Sequence, residues 1–156
     1  MRIGRITLSD RAHAGVYHDL SGPEIERVVR ERLTSDAEFI VRLLPDDQPG
    51  IEAALIELCD EFRCDLVITT GGTGPAPRDV TPEATRAVIQ RELPGFGETM
   101  RAVSFAKVPT AILSRALAGT RGRTLILNLP GNPRAIEECL PPLVPAILEC
   151  LRHLSS

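Results

Sequence analysis

The residues best suited to chemistry lie in one stretch that combines a glycine-rich turn with an acidic side chain. After the apolar segment Leu66–Thr69, the chain reads T-G-G-T-G-P-A-P-R-D and reaches Asp79 just before a helix start. Glycines permit positive φ and a close approach of the backbone, so the amides of the turn can converge on an anion. A carboxylate near bound phosphates needs a divalent cation between them, and Mg²⁺ prefers oxygen ligands. The pattern favours metal-assisted phosphoryl chemistry.

Each of these residues also has a purely structural interpretation. A strand-to-helix turn needs one glycine, whereas this turn contains three, which favours a functional role. It lacks the G-K-[ST] ending of a Walker A loop and does not match the dinucleotide pattern G-x-G-x-x-G. Asp79 equally suits the start of a helix, where an anion complements the helix dipole. Asp46 and Asp47 follow Pro45 in a turn-like composition, and there composition alone favours local hydrogen bonding.

The composition indicates one globular domain that spans residues 1–156. Of the 156 residues, 43% are hydrophobic and 25% are charged, which is enough apolar material for a core. The net charge of −3 and the scarcity of aromatic residues disfavour nucleic-acid binding. No apolar run approaches the ~20 residues of a membrane helix, and the first residues are too polar for a secretory signal. We therefore expect a cytoplasmic protein whose ligand is small.

Cysteines and histidines show no metal-binding pattern. The four cysteines form no C-x-x-C pair, and each lies in an apolar, helix-like context that predicts a buried thiol. The three histidines have neither H-x-x-x-H nor H-E-x-x-H spacing. We assign none of these residues to a metal.

Strand-like and helix-like patterns alternate along the chain, which predicts a three-layer α/β/α fold with a mostly parallel sheet. One strand is expected to run antiparallel, around the turn at Thr120–Arg123. Ser21 to Glu24 reads as a capping box, and Thr81 is expected to cap the helix that Pro82 enters. The predicted strands are Ile3–Leu8, Phe39–Leu44, Leu66–Thr69, Ala116–Ala118 and Thr124–Leu129. The predicted helices are Ser21–Arg32, Ile51–Phe62, Thr81–Leu93, Phe96–Phe105 and an interrupted segment Pro133–Leu154.

Four loops follow predicted strands and carry polar or glycine residues. Ligands of open α/β sheets bind at the carboxyl ends of strands, so loops distant in sequence can meet in one crevice. The loops are Ser9–Arg11, Pro45–Asp47, Gly71–Asp79 and Pro130–Pro133. Their convergence would place Asp46 and Asp79 beside the glycine turn.

Six motifs in this order resemble the molybdopterin adenylyltransferase family of molybdenum cofactor biosynthesis. They cover nearly the whole chain, and their number and order make the resemblance specific. They are S-D-R-A-x-x-G-V-Y at Ser9–Tyr17, P-D-D-Q at Pro45–Gln48, T-T-G-G-T-G-P-A-P-R-D-V-T-P-E-A at Thr69–Ala84, L-P-G-F-G-E at Leu93–Glu98, V-P-T-A-I-L-S-R at Val108–Arg115 and L-I-L-N-L-P-G-N-P at Leu125–Pro133.

The resemblance implies a homotrimer that binds Mg²⁺-ATP and molybdopterin, forms adenylylated molybdopterin and releases pyrophosphate. It implies that Asp46 and Asp79 are catalytic acids that hold the metal, which reverses the composition-based interpretation of Asp46. It further implies that one side of the pocket binds the pterin and that the product passes to a molybdenum insertase. The implied nucleotide cradle comprises Gly71, Gly72, Thr73, Gly74, Pro130, Gly131, Asn132 and Pro133, and the implied pterin-side residues are Ser9, Asp10 and Ser114.

Two other classes of function compete with this one. A noncatalytic scaffold of the same fold could bind molybdopterin or nucleotide without turnover, although it would not require both acids. A NAD-binding fragment would need G-x-G-x-x-G after the first strand, where this chain has Ser9, Asp10 and Arg11. It would also need an acidic residue at the end of the second strand, where Leu44 and Pro45 lie. Adenylyl transfer is therefore the principal hypothesis.

Overall fold

A single six-stranded sheet forms the centre of the computed structural model, which describes residues 1–156. The strand order is β2-β1-β3-β6-β5-β4. The first four strands in that order run parallel, and β4 and β5 pair antiparallel with their neighbours. The strands are β1 (Arg2–Leu8), β2 (Glu38–Leu44), β3 (Leu66–Thr70), β4 (Arg91–Glu92), β5 (Ala118–Arg121) and β6 (Thr124–Leu129).

Helices cover both faces of the sheet. Helix α2 continues into a π-helical turn at Val29–Leu33, and α3 continues into another at Glu57–Glu61. Short 3₁₀ segments lie at Pro109–Leu113 and Pro141–Leu143. The α-helices are α1 (Asp10–His13), α2 (Ser21–Val28), α3 (Gln48–Ile56), α4 (Thr81–Val88), α5 (Pro94–Phe105), α6 (Pro133–Cys139) and α7 (Val144–Leu154).

Two hydrophobic clusters join these helices to the sheet, one on each face. On one face, Ile25 of α2, Met100 of α5 and Ile147 of α7 pack with inward residues of β3 and β6. On the other, Ile51 and Leu55 of α3 pack with residues of α4 and the alternate strand positions. Residues on successive strand positions point to opposite faces, which allows one strand to serve both clusters. The predicted three-layer α/β/α class and mostly parallel sheet are confirmed.

The capping box predicted at Ser21 is wrong. Ser21 is the first helical residue, and Leu20 occupies the N-cap position without a side-chain cap. The Asp19 carboxylate accepts the Gly22 N–H at 3.0 Å instead. The Ser21 hydroxyl donates to the Gly131 carbonyl at 2.5 Å, so it ties the helix start to a distant loop.

Thr81 is also not the cap of its helix. It is the first residue of α4 after Val80, and its hydroxyl donates to the Gly71 carbonyl at 2.9 Å. The helix ends at Val88 rather than near Leu93, because Ile89 adopts an extended conformation and leads into β4, which pairs with β5. The gain of strand pairing accounts for the early helix end.

Strand β5 begins at Ala118 and continues to Arg121, later than the predicted Ala116–Ala118. Its antiparallel pairing with β6 agrees with the prediction. None of the helices has the length and apolar character needed to span a bilayer.

Candidate active site

The carboxyl ends of four neighbouring strands meet at one edge of the sheet. Strands β2, β1, β3 and β6 lie side by side in parallel, so the loops that follow them are adjacent. A cavity of about 340 Å³ opens at this edge. The predicted site residues that line it are Ser9, Asp46, Gly71, Gly72, Asp79, Gly131 and Pro133.

Asp10 and Asp46 hold each other through reciprocal hydrogen bonds. The Asp10 N–H donates to Asp46 Oδ2 at 3.1 Å, and the Asp46 N–H donates to Asp10 Oδ1 at 2.9 Å. Two loops that follow adjacent strands are thereby joined by two bonds, each from a main-chain N–H to a side-chain carboxylate. The Asp46 carboxylate is positioned by backbone atoms and not by a flexible partner.

The second oxygen of Asp46 has no partner within the protein. Asp46 Oδ1 is buried and accepts no hydrogen bond. Burial raises the pKa of the Asp46 carboxyl, and the charges of Asp10 and Asp79 add to this increase, although the Asp10 N–H opposes it. A buried polar atom normally has a partner, and its absence here is the kind of exception found at functional sites. The oxygen is suited to a ligand that supplies positive charge.

Asp46 and Asp79 offer oxygen donors of the kind that Mg²⁺ prefers. The structure contains no group of three or more His, Cys, Asp or Glu side chains placed to enclose a metal. Mg²⁺ commonly takes one or two protein carboxylates and completes its shell with water and substrate phosphates. Asp46 has a free oxygen, and Asp79 lies close enough to raise its pKa. The chemistry of these donors fits an ion that arrives with a phosphate substrate.

Asp79 is held inside its own loop. Its Oδ2 accepts the Ala76 N–H at 3.1 Å. A Cβ at Gly74 would lie 2.8 Å from the same oxygen, so the loop needs glycine there to close around the carboxylate. The neighbouring Arg78 pairs with Asp10 and not with Asp79, through Nε and Nη2 at 3.0 and 2.8 Å from Asp10 Oδ2. The Asp46 N–H and Arg78 lower the pKa of Asp10, so this carboxyl stays ionised.

The glycine loop has a conformation that larger residues cannot adopt without strain. Gly71 and Gly72 have φ of 96° and 68°, in the region that glycine favours. A Cβ at Gly71 would lie 2.3 Å from the Leu8 carbonyl oxygen, and one at Gly72 would lie 2.4 Å from Thr81 Oγ1 and 3.0 Å from Asp46 Oδ1. The backbone of Gly72 therefore lies directly against the acidic site.

The two cradle loops present unpaired amides. The N–H groups of Gly72, Thr73 and Gly74 donate to no acceptor in the protein, and the same holds for Gly131 and Asn132. Thr73 is only 6% exposed, and buried amides are rarely left unpaired in proteins. The loops approach closely, since a Cβ at Gly131 would lie 3.3 Å from the Gly71 Cα. This arrangement suits an oxyanion such as a phosphate.

A second cavity lies against the far end of the glycine loop. It has a volume of about 290 Å³ and contains the unpartnered, buried hydroxyl of Ser104. Apolar walls come from Met100, Val108 and Leu113. The predicted site residues that line it are Thr73, Gly74, Ser114, Pro130 and Asn132. The predicted set is therefore divided between two cavities, with Ser9 in the first and Ser114 in the second.

Several residues at the site were not identified from sequence as site residues. Tyr17 shares a hydrogen bond of 2.6 Å with Ser9, and Asp19 and Ser21 line the first cavity. Tyr17 lies within the first family-like motif, which was the available signal. Arg115 ends another such motif and donates to the Gly74 and Asp79 carbonyls at 2.9 and 2.8 Å. No local pattern indicates these long-range contacts.

A larger cavity lies away from these acids. It has a volume of about 480 Å³ and is lined by residues near the amino ends of β3 and β6, among them Asp60, Arg121 and Arg123. Arg121 is already paired there with Asp60 at 2.8 Å. Size alone does not identify the site, because this cavity contains none of the predicted cradle residues.

Comparisons with known proteins agree with the motifs. Residues 4–149 match the model of a family described as a probable molybdopterin binding domain. The molybdopterin adenylyltransferase of Helicobacter pylori strain J99 is 55% identical over 151 residues, covering 97% of this chain and 86% of that protein. The molybdopterin adenylyltransferase of Escherichia coli K12 is 56% identical over 140 residues, covering 90% of this chain and 72% of that protein.

A solved structure has the same fold. The molybdopterin biosynthesis enzyme MoaB of Thermus thermophilus superposes with a TM-score of 0.90 at 43% identity, covering 98% of this chain and 95% of that one. The resemblance inferred from six motifs is thus confirmed by likeness over almost the whole chain. This chain belongs to the molybdopterin adenylyltransferase family of molybdenum cofactor biosynthesis.

Proposed function

We propose that this chain transfers AMP from ATP to the terminal phosphate of molybdopterin and releases pyrophosphate. The names of its relatives support this reaction. The observation that carries the proposal is the buried, unpartnered oxygen of Asp46 beside the unpaired amides of the glycine loop. A site that offers both a carboxylate and free amides suits a phosphate that is accompanied by a cation.

The chain's own residues hold and orient the reacting phosphates. The free amides of Gly72, Thr73 and Gly74 bind phosphate oxygens of ATP, and the Pro130–Pro133 loop closes the other side of the cradle. Asp46 and Asp79 hold Mg²⁺, which when bound supplies positive charge against the phosphates and the leaving group. A phosphate oxygen of molybdopterin then forms a bond to the α-phosphorus of ATP, while the bond to the β-phosphate breaks.

This reaction needs no general base on the enzyme. A phosphate nucleophile is already ionised near neutral pH, so no proton has to be removed before the attack. The main barrier is the repulsion between two anions, which fixed amides and cations reduce. The first cavity is lined by the carboxylates of Asp19, Asp46 and Asp79, which suit a cation that accompanies the substrate phosphates.

The two cavities support a site for two substrates. They lie against opposite ends of the same glycine loop, and one contains Ser9 while the other contains Ser114. We therefore assign Ser9 and Ser114 to different parts of the bound pair, molybdopterin and ATP. Asp10 contributes through its bonds to Asp46 and Arg78.

We propose that residues 1–156 act as one molybdopterin-binding domain, that the protein works as a homotrimer in the cytoplasm, and that its product passes to a molybdenum insertase. The family match over residues 4–149 supports one functional unit. Sedimentation of the purified protein tests the trimer directly.

Purified protein with molybdopterin, ATP and Mg²⁺ provides the principal test. We expect release of pyrophosphate and formation of adenylylated pterin. The Asp46→Asn, Asp79→Asn double variant should fold and lose at least about 100-fold in rate, the scale of losing an electrostatic stabiliser of the transition state. Asp47→Asn is the matched control, since Asp47 only caps α3 through the Gly50 N–H and asparagine caps equally well.

Two outcomes would contradict the proposal. Full activity in the double variant would remove Asp46 and Asp79 from the metal site. Binding of molybdopterin by the wild-type protein without pyrophosphate release would favour the noncatalytic scaffold.

A further inference from the structure

The loop that carries Asp79 is held by one arginine from a distant part of the chain. We propose that Arg115 is a positioning residue, which keeps the glycine loop and Asp79 in the geometry that adenylyl transfer requires. This inference rests on the proposed function for its kinetic consequence. The geometry of the loop can be tested without an assay of adenylyl transfer.

Arg115 bonds to both ends of the loop. Its main-chain N–H donates to the Thr73 carbonyl at 2.8 Å. Its guanidinium donates through Nε to the Gly74 carbonyl at 2.9 Å and through Nη2 to the Asp79 carbonyl at 2.8 Å. Between these points the loop belongs to no helix or strand. The guanidinium therefore sets the separation between Gly74 and Asp79, and the main-chain N–H of the same residue holds Thr73.

The loop has few other restraints near Asp79. The Asp79 N–H donates to the Ala76 carbonyl, and the Asp79 carboxylate accepts the Ala76 N–H, so both contacts are local. Thr81 binds the Gly71 and Gly72 carbonyls at the loop base. Apart from the contacts of Arg115, the segment from Thr73 to Asp79 is bonded to another part of the fold only through the exposed side chain of Arg78, which donates to Asp10.

Arg115 is itself held by a rigid support. Arg101 donates to the carbonyls of Ser114 and Ala116, at 3.3 and 2.9 Å, on either side of Arg115. Ala116 and Leu117 are buried at 2% and 5% exposure. The Leu117 N–H donates to the buried Asn128 side chain at 3.3 Å. Arg115 and its bonds to the loop, which we call the clamp, therefore connect the glycine loop to the core of the sheet.

The bond to Thr73 also orients an amide of the cradle. Across a trans peptide the C=O and the next N–H point in opposite directions, and the structure contains no cis peptide. Because the Thr73 carbonyl points to Arg115, the Gly74 N–H points away from it. That N–H is one of those that donate to no protein acceptor. This main-chain contact, which any residue at this position keeps, fixes the direction of a free amide, and the guanidinium holds the next carbonyl, that of Gly74.

A guanidinium suits this task better than an ammonium. It presents donors on separate nitrogens of a fixed planar fork, whereas lysine carries all its donors on one nitrogen. The fourth contact, Nη1 to Glu83 Oε2 at 2.5 Å, is an ion pair whose side chains are 38% and 42% exposed. Exposed pairs contribute little by themselves. The carbonyl contacts are therefore the functional part of the clamp.

Arg115 lines neither of the two cavities assigned to the substrates. Its effect must pass through the loop, which distinguishes it from Asp46 and Asp79. The consequence is a specific pattern among variants: loss of the fork should impair turnover, and loss of the Glu83 charge alone should not.

The test combines kinetics with amide hydrogen exchange on Arg115→Met, Arg115→Lys and Glu83→Gln. We expect kcat to fall about 100-fold in Arg115→Met, the scale of a misplaced catalytic group. The kcat of Arg115→Lys should stay below about a tenth of the wild-type value. Glu83→Gln should stay within about 3-fold of the wild type, because glutamine still accepts from Nη1. Exchange should accelerate across residues 71–80 in both Arg115 variants and remain unchanged across residues 48–56.

Arg121→Met is the matched control. Like Arg115, Arg121 donates both to a side-chain carboxylate, that of Asp60, and to a main-chain carbonyl, that of Val88. It lies away from the glycine loop. It should leave kcat and the exchange of residues 71–80 unchanged. Turnover within about 3-fold of the wild type in Arg115→Met would overturn the proposal.

The two proposals fail in different ways. If the wild-type protein releases no pyrophosphate, the proposed function fails and hydrogen exchange alone decides on the clamp. Unchanged exchange across residues 71–80 in Arg115→Met would then overturn it. If Arg115→Met is globally unfolded, the lysine variant decides: near-normal kcat there would show that charge, and not the fork, is sufficient.

Discussion

The N–H of Asp10 lies 3.1 Å from the Asp46 carboxylate, and the N–H of Asp46 lies 2.9 Å from the Asp10 carboxylate. The two residues follow adjacent parallel strands, β1 and β2. This exchange fixes the separation between the two loops. Asp46 Oδ1 keeps no partner, and a Cβ at Gly72 of the glycine loop would lie 3.0 Å from it.

Asp10→Ala should weaken both the fold and the site. It removes the acceptor of the Asp46 N–H and of Arg78. We expect the free energy of unfolding, measured in urea titrations, to fall. Asp10→Asn keeps an acceptor for the Asp46 N–H and should lose less. Equal stability of the alanine variant and the wild type would contradict this assignment.

Asp46→Asn should stabilise the metal-free protein at neutral pH while it impairs turnover. Burial raises the pKa of Asp46, so the folded state binds its proton more tightly than the unfolded chain. The stability that this group contributes is complete below its ordinary pKa of 3.8 and is lost as pH rises through the folded-state pKa. At pH 7 the buried, ionised carboxylate of Asp46 therefore destabilises the folded wild type, and the neutral asparagine side chain does not.

Thermal unfolding in EDTA at two pH values measures this effect. The Tm of Asp46→Asn should exceed that of the wild type at pH 7, and the difference should shrink toward pH 4 as the wild-type carboxyl takes up its proton. A lower Tm for the variant at both pH values would show that Asp46 has a mainly structural role.

Gly72→Ala should weaken ATP binding more than its backbone strain explains. Gly72 has φ of 68°, and the added Cβ would meet Thr81 Oγ1 and Asp46 Oδ1. Gly122→Ala is the matched control, because Gly122 has φ of 57° and open space around its Cβ position. Both variants should lose about 1–2 kcal/mol of stability from the left-handed conformation.

Calorimetric titration with Mg²⁺-ATP separates the two glycine variants. We expect affinity to fall at least about 10-fold for Gly72→Ala, equivalent to 1.4 kcal/mol, and to stay unchanged for Gly122→Ala. Equal affinities in the two variants would remove Gly72 from the nucleotide cradle.

Asn128 should contribute to stability and not to the reaction itself. Its amide donates to Thr69 Oγ1 at 3.1 Å and to Thr85 Oγ1 at 3.0 Å, and its carbonyl accepts the Leu117 N–H at 3.3 Å. Asn128 is fully buried. Asn128→Ala leaves these groups without partners, so we expect a loss of about 2–4 kcal/mol in denaturant titration. At a temperature where the variant is fully folded, its KM for ATP should match that of the wild type.

Much of the architecture was predictable from local patterns. The apolar segments Ile3–Leu8 and Phe39–Leu44 and the antiparallel turn before Thr124 appear in the structure close to their predicted bounds. The capping predictions at Ser21 and Thr81 were wrong, because the Ser21 hydroxyl donates to the distant Gly131 carbonyl and the Thr81 hydroxyl donates to the Gly71 carbonyl in the preceding loop. A capping pattern cannot reveal a competing acceptor outside the first helical turn.

The sequence by itself determined the order of the main strands and helices, the family and the four loops that carry polar residues, because periodicity and motifs depend on neighbours along the chain. The tertiary structure decided which of those residues meet. It paired Arg78 with Asp10 and not with Asp79, separated Ser9 from Ser114, and brought Arg115 to the glycine loop. These contacts depend on strand order and on how the segments pack across the sheet, which no local pattern specifies.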